Sequence, residues 1–98
     1  MPNARKILIV EDDTDLRDTL VEQLALHEES EASAVDTGAK GASAAEANSP
    51  DLVLMDVGLP DTDGREVVRS LRKGGFKAPI IMLTGHDTDS DTILGLES

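Results

Sequence analysis

The feature that most constrains this sequence is a pair of continuous apolar runs, each of which ends abruptly in acid. Residues 6–10 are followed by Glu11 and Asp12, and residues 52–55 are followed by Asp56. Because nothing polar alternates within either run, both are predicted to be strands buried on both faces, as in a parallel sheet. A buried strand that ends in a carboxylate is costly unless the charge has a partner or a function. The rest of the chain is expected to supply that partner.

The remaining patterns alternate between helices and strands. An apolar stripe from Leu16 to Leu24 predicts a helix after the first strand, with Asp13 as its N-cap. The other predicted strands cover residues 32–36 and 79–83, and the other predicted helices cover residues 37–47, 65–73 and 87–97. An alternating β-α order with short connections predicts an α/β fold, a parallel sheet with helices on both faces.

Composition limits the possible functions. The 98 residues suit one domain, residues 1–98, and the net charge of −11 argues against direct nucleic-acid binding and favours cations or basic partners. The chain has no cysteine, and Phe76 is its one aromatic residue. It shows no apolar run of membrane-spanning length and no signal-peptide pattern, so we expect a soluble cytoplasmic domain without membrane contact.

Polar groups follow three of the predicted strands. Glu11 and Asp12 follow the first, Asp56 the third and Thr84 the fourth, and the ends of parallel strands meet at one edge of a sheet. Close carboxylates repel unless a proton or a cation joins them, and oxygen ligands favour Mg²⁺. A carboxylate can also act as a nucleophile and form an aspartyl phosphate. The pattern therefore predicts phosphoryl chemistry at Asp56, with Thr84 near the transferred group.

The chain resembles the receiver domain of bacterial two-component response regulators. The segments that carry the resemblance span the whole chain: residues 7–13, 51–56, 59–60, 63–64 and 79–85. The resemblance implies a flavodoxin-like (CheY-like) fold with strand order 2-1-3-4. It also implies that a sensor histidine kinase donates a phosphoryl group to Asp56, and that the domain is a signalling switch and not an enzyme.

The resemblance further implies a role for each candidate site residue. Mg²⁺ would be bound by Asp12, Asp56 and the main-chain carbonyl of Gly58, with Glu11 acting through water. Thr84 would bind the phosphoryl group and move inward on activation. Asp13 remains a helix cap.

The sequence departs from the family pattern at its end. A fifth strand with its lysine and a fifth helix are missing, so we expect a truncated receiver domain, the N-terminal part of a transcriptional response regulator. This fragment would make no direct contact with nucleic acid. The fourth strand would be an open apolar edge, and this edge or the last helix could carry a homodimer.

Two other functions compete with this interpretation. A Mg²⁺-dependent phosphohydrolase could use Asp56 as its nucleophile, but such enzymes usually carry a second carboxylate two residues later, where this chain has Gly58. A flavin-binding module on the same fold would need aromatic side chains and a hydroxyl-rich phosphate loop, which the sequence does not offer.

Overall fold

The structure is a computed structural model that describes residues 4–83 and the strand at residues 93–97. Its strands are β1 (Arg5–Val10), β2 (Ser30–Val35), β3 (Leu52–Asp56), β4 (Ile80–Leu83) and β5 (Ile93–Glu97). Its helices are α1 (Thr14–Ala25), α2 (Gly38–Asn48) and α3 (Gly64–Lys73). Asp13 caps α1 as predicted, because its carboxylate accepts the main-chain N–H of Leu16 at 3.1 Å.

The first four strands form a parallel sheet in the order β2-β1-β3-β4, which confirms the predicted α/β fold and strand order. β1 and β3 lie side by side, with Val10 opposite Met55. β3 and β4 pair with Asp56 opposite Leu83. The carboxyl ends of β1, β3 and β4 therefore meet at one edge, which we call the carboxyl edge of the sheet.

Helices cover both faces of this sheet. On one face, alternate residues of the central strands pack with α2 and α3 in a core that includes Leu8, Val10, Val53, Met55, Val67 and Leu71. Ile7 and Ile9 point to the opposite face because strand side chains alternate, and they are also buried. α1 contacts β1 and β2 and contributes nothing to the first core, so it covers this second face.

The helix predicted over residues 87–97 is wrong in its second half. Residues 93–97 form β5, which pairs antiparallel with β4, with Ile81 opposite Leu96 and an irregularity between Met82 and Leu83. Residues 87–92 lie outside the described part of the chain. A short apolar run does not distinguish a helix from a strand, and the unpaired edge of β4 offers main-chain groups for a strand to bind.

This pairing also corrects the expectation of an open edge at the fourth strand. The edge of β4 that faces away from β3 is hydrogen-bonded to β5. The fourth strand is therefore not an exposed edge, and residues 93–97 are not a helix. Neither of these two predicted surfaces for a homodimer is present in the described part of the chain.

Candidate functional site

The carboxyl edge of the sheet brings three acidic side chains together. Glu11 and Asp12 follow β1 directly, Asp56 ends β3, and one oxygen from each carboxylate lies within 4.8 Å of the other two. We call these three residues the acidic cluster. Glu11 is 1% exposed and Asp56 is 0% exposed, whereas Asp12 is partly open to solvent. The parallel pairing of β1 with β3 produces this arrangement, as the sequence pattern predicted.

Burial and mutual repulsion set the electrostatics of the cluster. Burial raises the pKa of the Glu11 carboxyl to about 7. The main-chain N–H of Asp13, which donates to Glu11 Oε2 at 3.0 Å, opposes this rise. The charge of Asp56, a hydrogen bond between the Glu11 and Asp56 carboxyl groups, and the charge of Asp12 raise the same pKa further. A carboxyl with such a pKa holds a proton for much of the time near neutrality.

The donor set of the cluster fits a magnesium ion. Three neighbouring carboxylates repel one another when all are ionised. A divalent cation can remove this repulsion by taking the place of a proton. Mg²⁺ prefers oxygen ligands, is bound by one or two carboxylates, and keeps several waters. Asp12 is partly exposed, and a partly exposed ligand suits an ion that retains water.

The structure does not test the predicted roles of two further site residues. Gly58 lies two residues beyond Asp56, is exposed, and forms an isolated antiparallel bridge with Asp63. Its role as a main-chain ligand remains a prediction. Thr84 directly follows β4 but lies outside the described residues, so its role as the switch also remains a prediction.

The loop from β3 to α3 packs against the main chain of Asp56. The main-chain N–H of Gly64 donates to the carbonyl of Val57 at 2.7 Å. A Cβ atom at Gly64 would lie 1.9 Å from the main-chain oxygen of Asp56. Asp63 caps α3 through the N–H of Arg65 at 2.8 Å. The N-terminus of α3 is thus fixed against the main chain of Asp56 at a distance that only glycine allows.

The same loop is tied to α2 by a residue that the sequence analysis did not single out. The Asp61 carboxylate accepts the main-chain N–H groups of Gly38 at 2.8 Å and Ala39 at 3.0 Å. These two hydrogen bonds lower the pKa of Asp61. Since the free N–H groups of a helix N-terminus favour an anion, Asp61 supplies α2 with a cap from 22 residues away in sequence.

Arg17 is the second residue that sequence reasoning missed. Its guanidinium Nη1 donates to the main-chain carbonyl of Glu11 at 3.0 Å and lies 3.5 Å from that of Asp12. The sequence offered a signal, because a side chain in the first turn of a helix points back toward the N-terminus. An arginine at this position of α1 therefore reaches the strand end that the helix follows.

These features define a class of protein. The chain is a doubly wound α/β domain whose site lies at the carboxyl edge of its central strands, where this class binds ligands. The site consists of carboxylates, with no cysteine in the sequence and no histidine among the described residues of the cluster.

Comparison with known proteins identifies the family. The response regulator receiver domain family matches residues 7–98, so the chain belongs to this family, and the resemblance seen in the sequence is confirmed.

Two curated relatives are transcriptional regulatory proteins of alkaline phosphatase synthesis. SphR from Synechococcus elongatus is 39% identical, with 96% of this chain and 40% of SphR aligned. PhoP from Bacillus subtilis is 40% identical, with 95% of this chain and 38% of PhoP aligned. The chain therefore spans about two fifths of the length of these relatives.

A solved structure supports the same fold. The BeF3-activated N-terminal receiver domain of RstA from Klebsiella pneumoniae superposes with a TM-score of 0.77 at 34% sequence identity. The match covers 87% of this chain and 71% of that domain. Among the described residues, none of the helices has the length and apolar character needed to cross a membrane.

Proposed function

We propose that this receiver domain is a phosphorylation-dependent signalling switch that accepts a phosphoryl group on Asp56 from a histidine kinase. The observation that carries the proposal is the position of Asp56. Its side chain is fully buried at the end of a central strand, within 4.8 Å of two further carboxylates. Burying two such groups beside a third is costly unless they bind a cation, and a cation-bound carboxylate next to a phosphoryl donor is a suitable acceptor.

The transfer itself requires little from the protein beyond positioning. A carboxylate oxygen of Asp56 attacks phosphorus, the bond from phosphorus to the histidine nitrogen of the donor breaks, and the imidazole leaves with the electron pair. Glu11 and Asp12, with the carbonyl of Gly58, would hold Mg²⁺, which offsets the negative charge that the phosphoryl group brings. The hydrogen bonds of Val57 and Gly64 keep the main chain around Asp56 fixed during the attack.

The switch would act by adding charge at the carboxyl edge. A phosphoryl group on Asp56 adds negative charge beside the end of β4, and we propose that the Thr84 hydroxyl binds it and moves inward. The two curated relatives are named as transcriptional regulatory proteins, and on that basis we propose that the domain controls transcription as the N-terminal part of a longer regulator.

A phosphohydrolase remains the alternative function. The acidic cluster and the nucleophile would serve it equally well, but the residue two positions after Asp56 is Gly58, which offers no carboxylate for acid-base catalysis. A protein that becomes phosphorylated without repeated release of phosphate would therefore favour the switch.

Incubation with acetyl phosphate and Mg²⁺ separates the two functions. We expect labelling to approach one phosphoryl group per chain. Phosphate should be released no faster than the labelled protein loses its phosphoryl group. Many rounds of phosphate release per chain would instead show an enzyme. The same incubation in excess EDTA is the control, and we expect it to abolish labelling, since the chemistry depends on the divalent cation.

A further inference from the structure

We infer that Arg17 is a positioning residue for the acidic cluster: its guanidinium holds the main chain of Glu11 and Asp12 so that their carboxylates face Asp56. This inference rests on the proposed function, since it concerns the affinity of the cluster for a divalent cation. Arg17 neither belongs to the cluster nor offers a ligand to the cation.

The main chain of Glu11 is held on both sides. Its N–H donates to the carbonyl of Val35 in β2 at 3.0 Å, and its carbonyl accepts from Arg17 Nη1 at 3.0 Å. The first contact continues the pairing of β1 with β2. The second joins the end of β1 to the helix α1 through the side chain of Arg17. Glu11 is therefore fixed at the junction of three elements, where its side chain turns into the buried cluster.

Arg17 is suited to this task by its chemistry. The guanidinium is planar and always charged, and its Nη1 lies against the two successive carbonyls of Glu11 and Asp12. Hydrogen bonds from a charged donor are also stronger than those between neutral groups. The side chain is half-buried, which limits competition from water.

The surroundings of Arg17 support a fixed position. Its side chain lines a small surface cavity together with Ala34, Val35, Asp36 and Lys40. Asp36 lies at the end of β2, where its carboxylate is paired with Lys40 Nζ at 3.1 Å, and the charge of Arg17 contributes to lowering its pKa. The guanidinium thus lies between the ends of β1 and β2, near the Asp36 carboxylate.

This arrangement has a consequence for metal binding. Groups that orient metal ligands without touching the metal commonly change affinity when they are replaced, because a misplaced ligand no longer meets the ion. For Arg17→Gln we expect Mg²⁺ affinity to fall about 10-fold. Arg17→Lys keeps the charge but replaces the planar guanidinium with an ammonium group on a stem of different reach, so its affinity should lie between those of Arg17→Gln and the wild type.

The experiment is a Mg²⁺ titration by isothermal calorimetry of the wild type, Arg17→Gln, Arg17→Lys and Arg5→Gln. Arg5→Gln is the matched control, since it removes the same charge from an exposed residue at the opposite end of β1. Thermal unfolding in EDTA shows whether each variant is folded without metal. If Arg17→Gln does not fold, the Arg17→Lys titration decides.

The results separate this inference from the proposed function. Weakened binding in the Arg17 variants, with wild-type affinity in Arg5→Gln, is the expected result. Equal affinity in the Arg17 variants and the wild type would overturn the inference alone. An equal loss in Arg5→Gln would overturn it too, because it would show that the loss does not depend on the contact with the Glu11 and Asp12 carbonyls. Failure of the wild type to bind Mg²⁺ would overturn the inference together with the proposed function.

Discussion

Replacing Gly64 with alanine should damage the domain at the point where α3 meets the end of β3. The added Cβ would lie 1.9 Å from the main-chain oxygen of Asp56 and 2.9 Å from its carbonyl carbon. Because both neighbours are main-chain atoms of a central strand, no flexible side chain can move away. The strand end and the helix must separate by about 1.5 Å to restore an ordinary van der Waals distance.

The cost follows from two contributions. Forcing an additional methyl group into a packed interior costs about 1–3 kcal/mol. The separation also breaks or weakens the 2.7 Å hydrogen bond from Gly64 N–H to the Val57 carbonyl, which contributes about 1 kcal/mol. We therefore expect Gly64→Ala to lower the free energy of unfolding by about 2–4 kcal/mol, a large part of the stability of a small domain.

Thermal unfolding followed by far-UV circular dichroism measures this loss. For a domain of this size the expected fall in Tm is at least about 8 °C. Gly74→Ala is the matched control: Gly74 has φ −80°, and an added Cβ would have no neighbour closer than 3.6 Å. We expect this control to be neutral or to stabilise the fold by up to about 1 kcal/mol. Equal Tm values for the two variants would refute the close approach of α3 to Asp56.

Three further predictions follow from the loops around the site. Asp61→Ala should lower Tm and speed amide hydrogen exchange at Gly38 and Ala39, since both N–H groups lose their acceptor; unchanged protection there would contradict the cap. Hydrogen bonds from Arg65 lower the pKa of Asp63 to about 2. Because the folded-state pKa lies below the unfolded value of about 4, the stability from Asp63 is complete above pH ~4 and is lost as pH falls toward about 2. Unfolding measured against pH should show this loss in the wild type and not in Asp63→Asn, which keeps the cap but does not titrate. Asp12→Asn should weaken Mg²⁺ binding in calorimetry, and wild-type affinity would remove Asp12 from the ligand set.

The parallel core of the fold and the acidic cluster were predictable from the sequence because their signals are local. An uninterrupted apolar run indicates a buried strand wherever it lies, and the carboxylate that ends it must reach the carboxyl edge. Glu11, Asp12 and Asp56 were found in this way, and the structure brings them together.

The last strand was not predictable in the same way. Residues 93–97 form a short apolar segment, and their state depends on pairing with β4, which no local pattern reveals. The Asp61 cap is also a long-range contact, since its partners Gly38 and Ala39 precede it by more than 20 residues. Arg17 differs from both, because it lies on the helix α1 and only its long side chain brings it to the end of β1.

The central claim is that Asp56 accepts the phosphoryl group, and the intact mass of the protein after treatment with acetyl phosphate and Mg²⁺ tests it most directly. The wild type should gain the mass of one phosphoryl group. Asp56→Asn should gain nothing, whereas Asp18→Asn, the same substitution at an exposed position on α1, should be labelled like the wild type. Labelling of Asp56→Asn to the level of the wild type would contradict the claim.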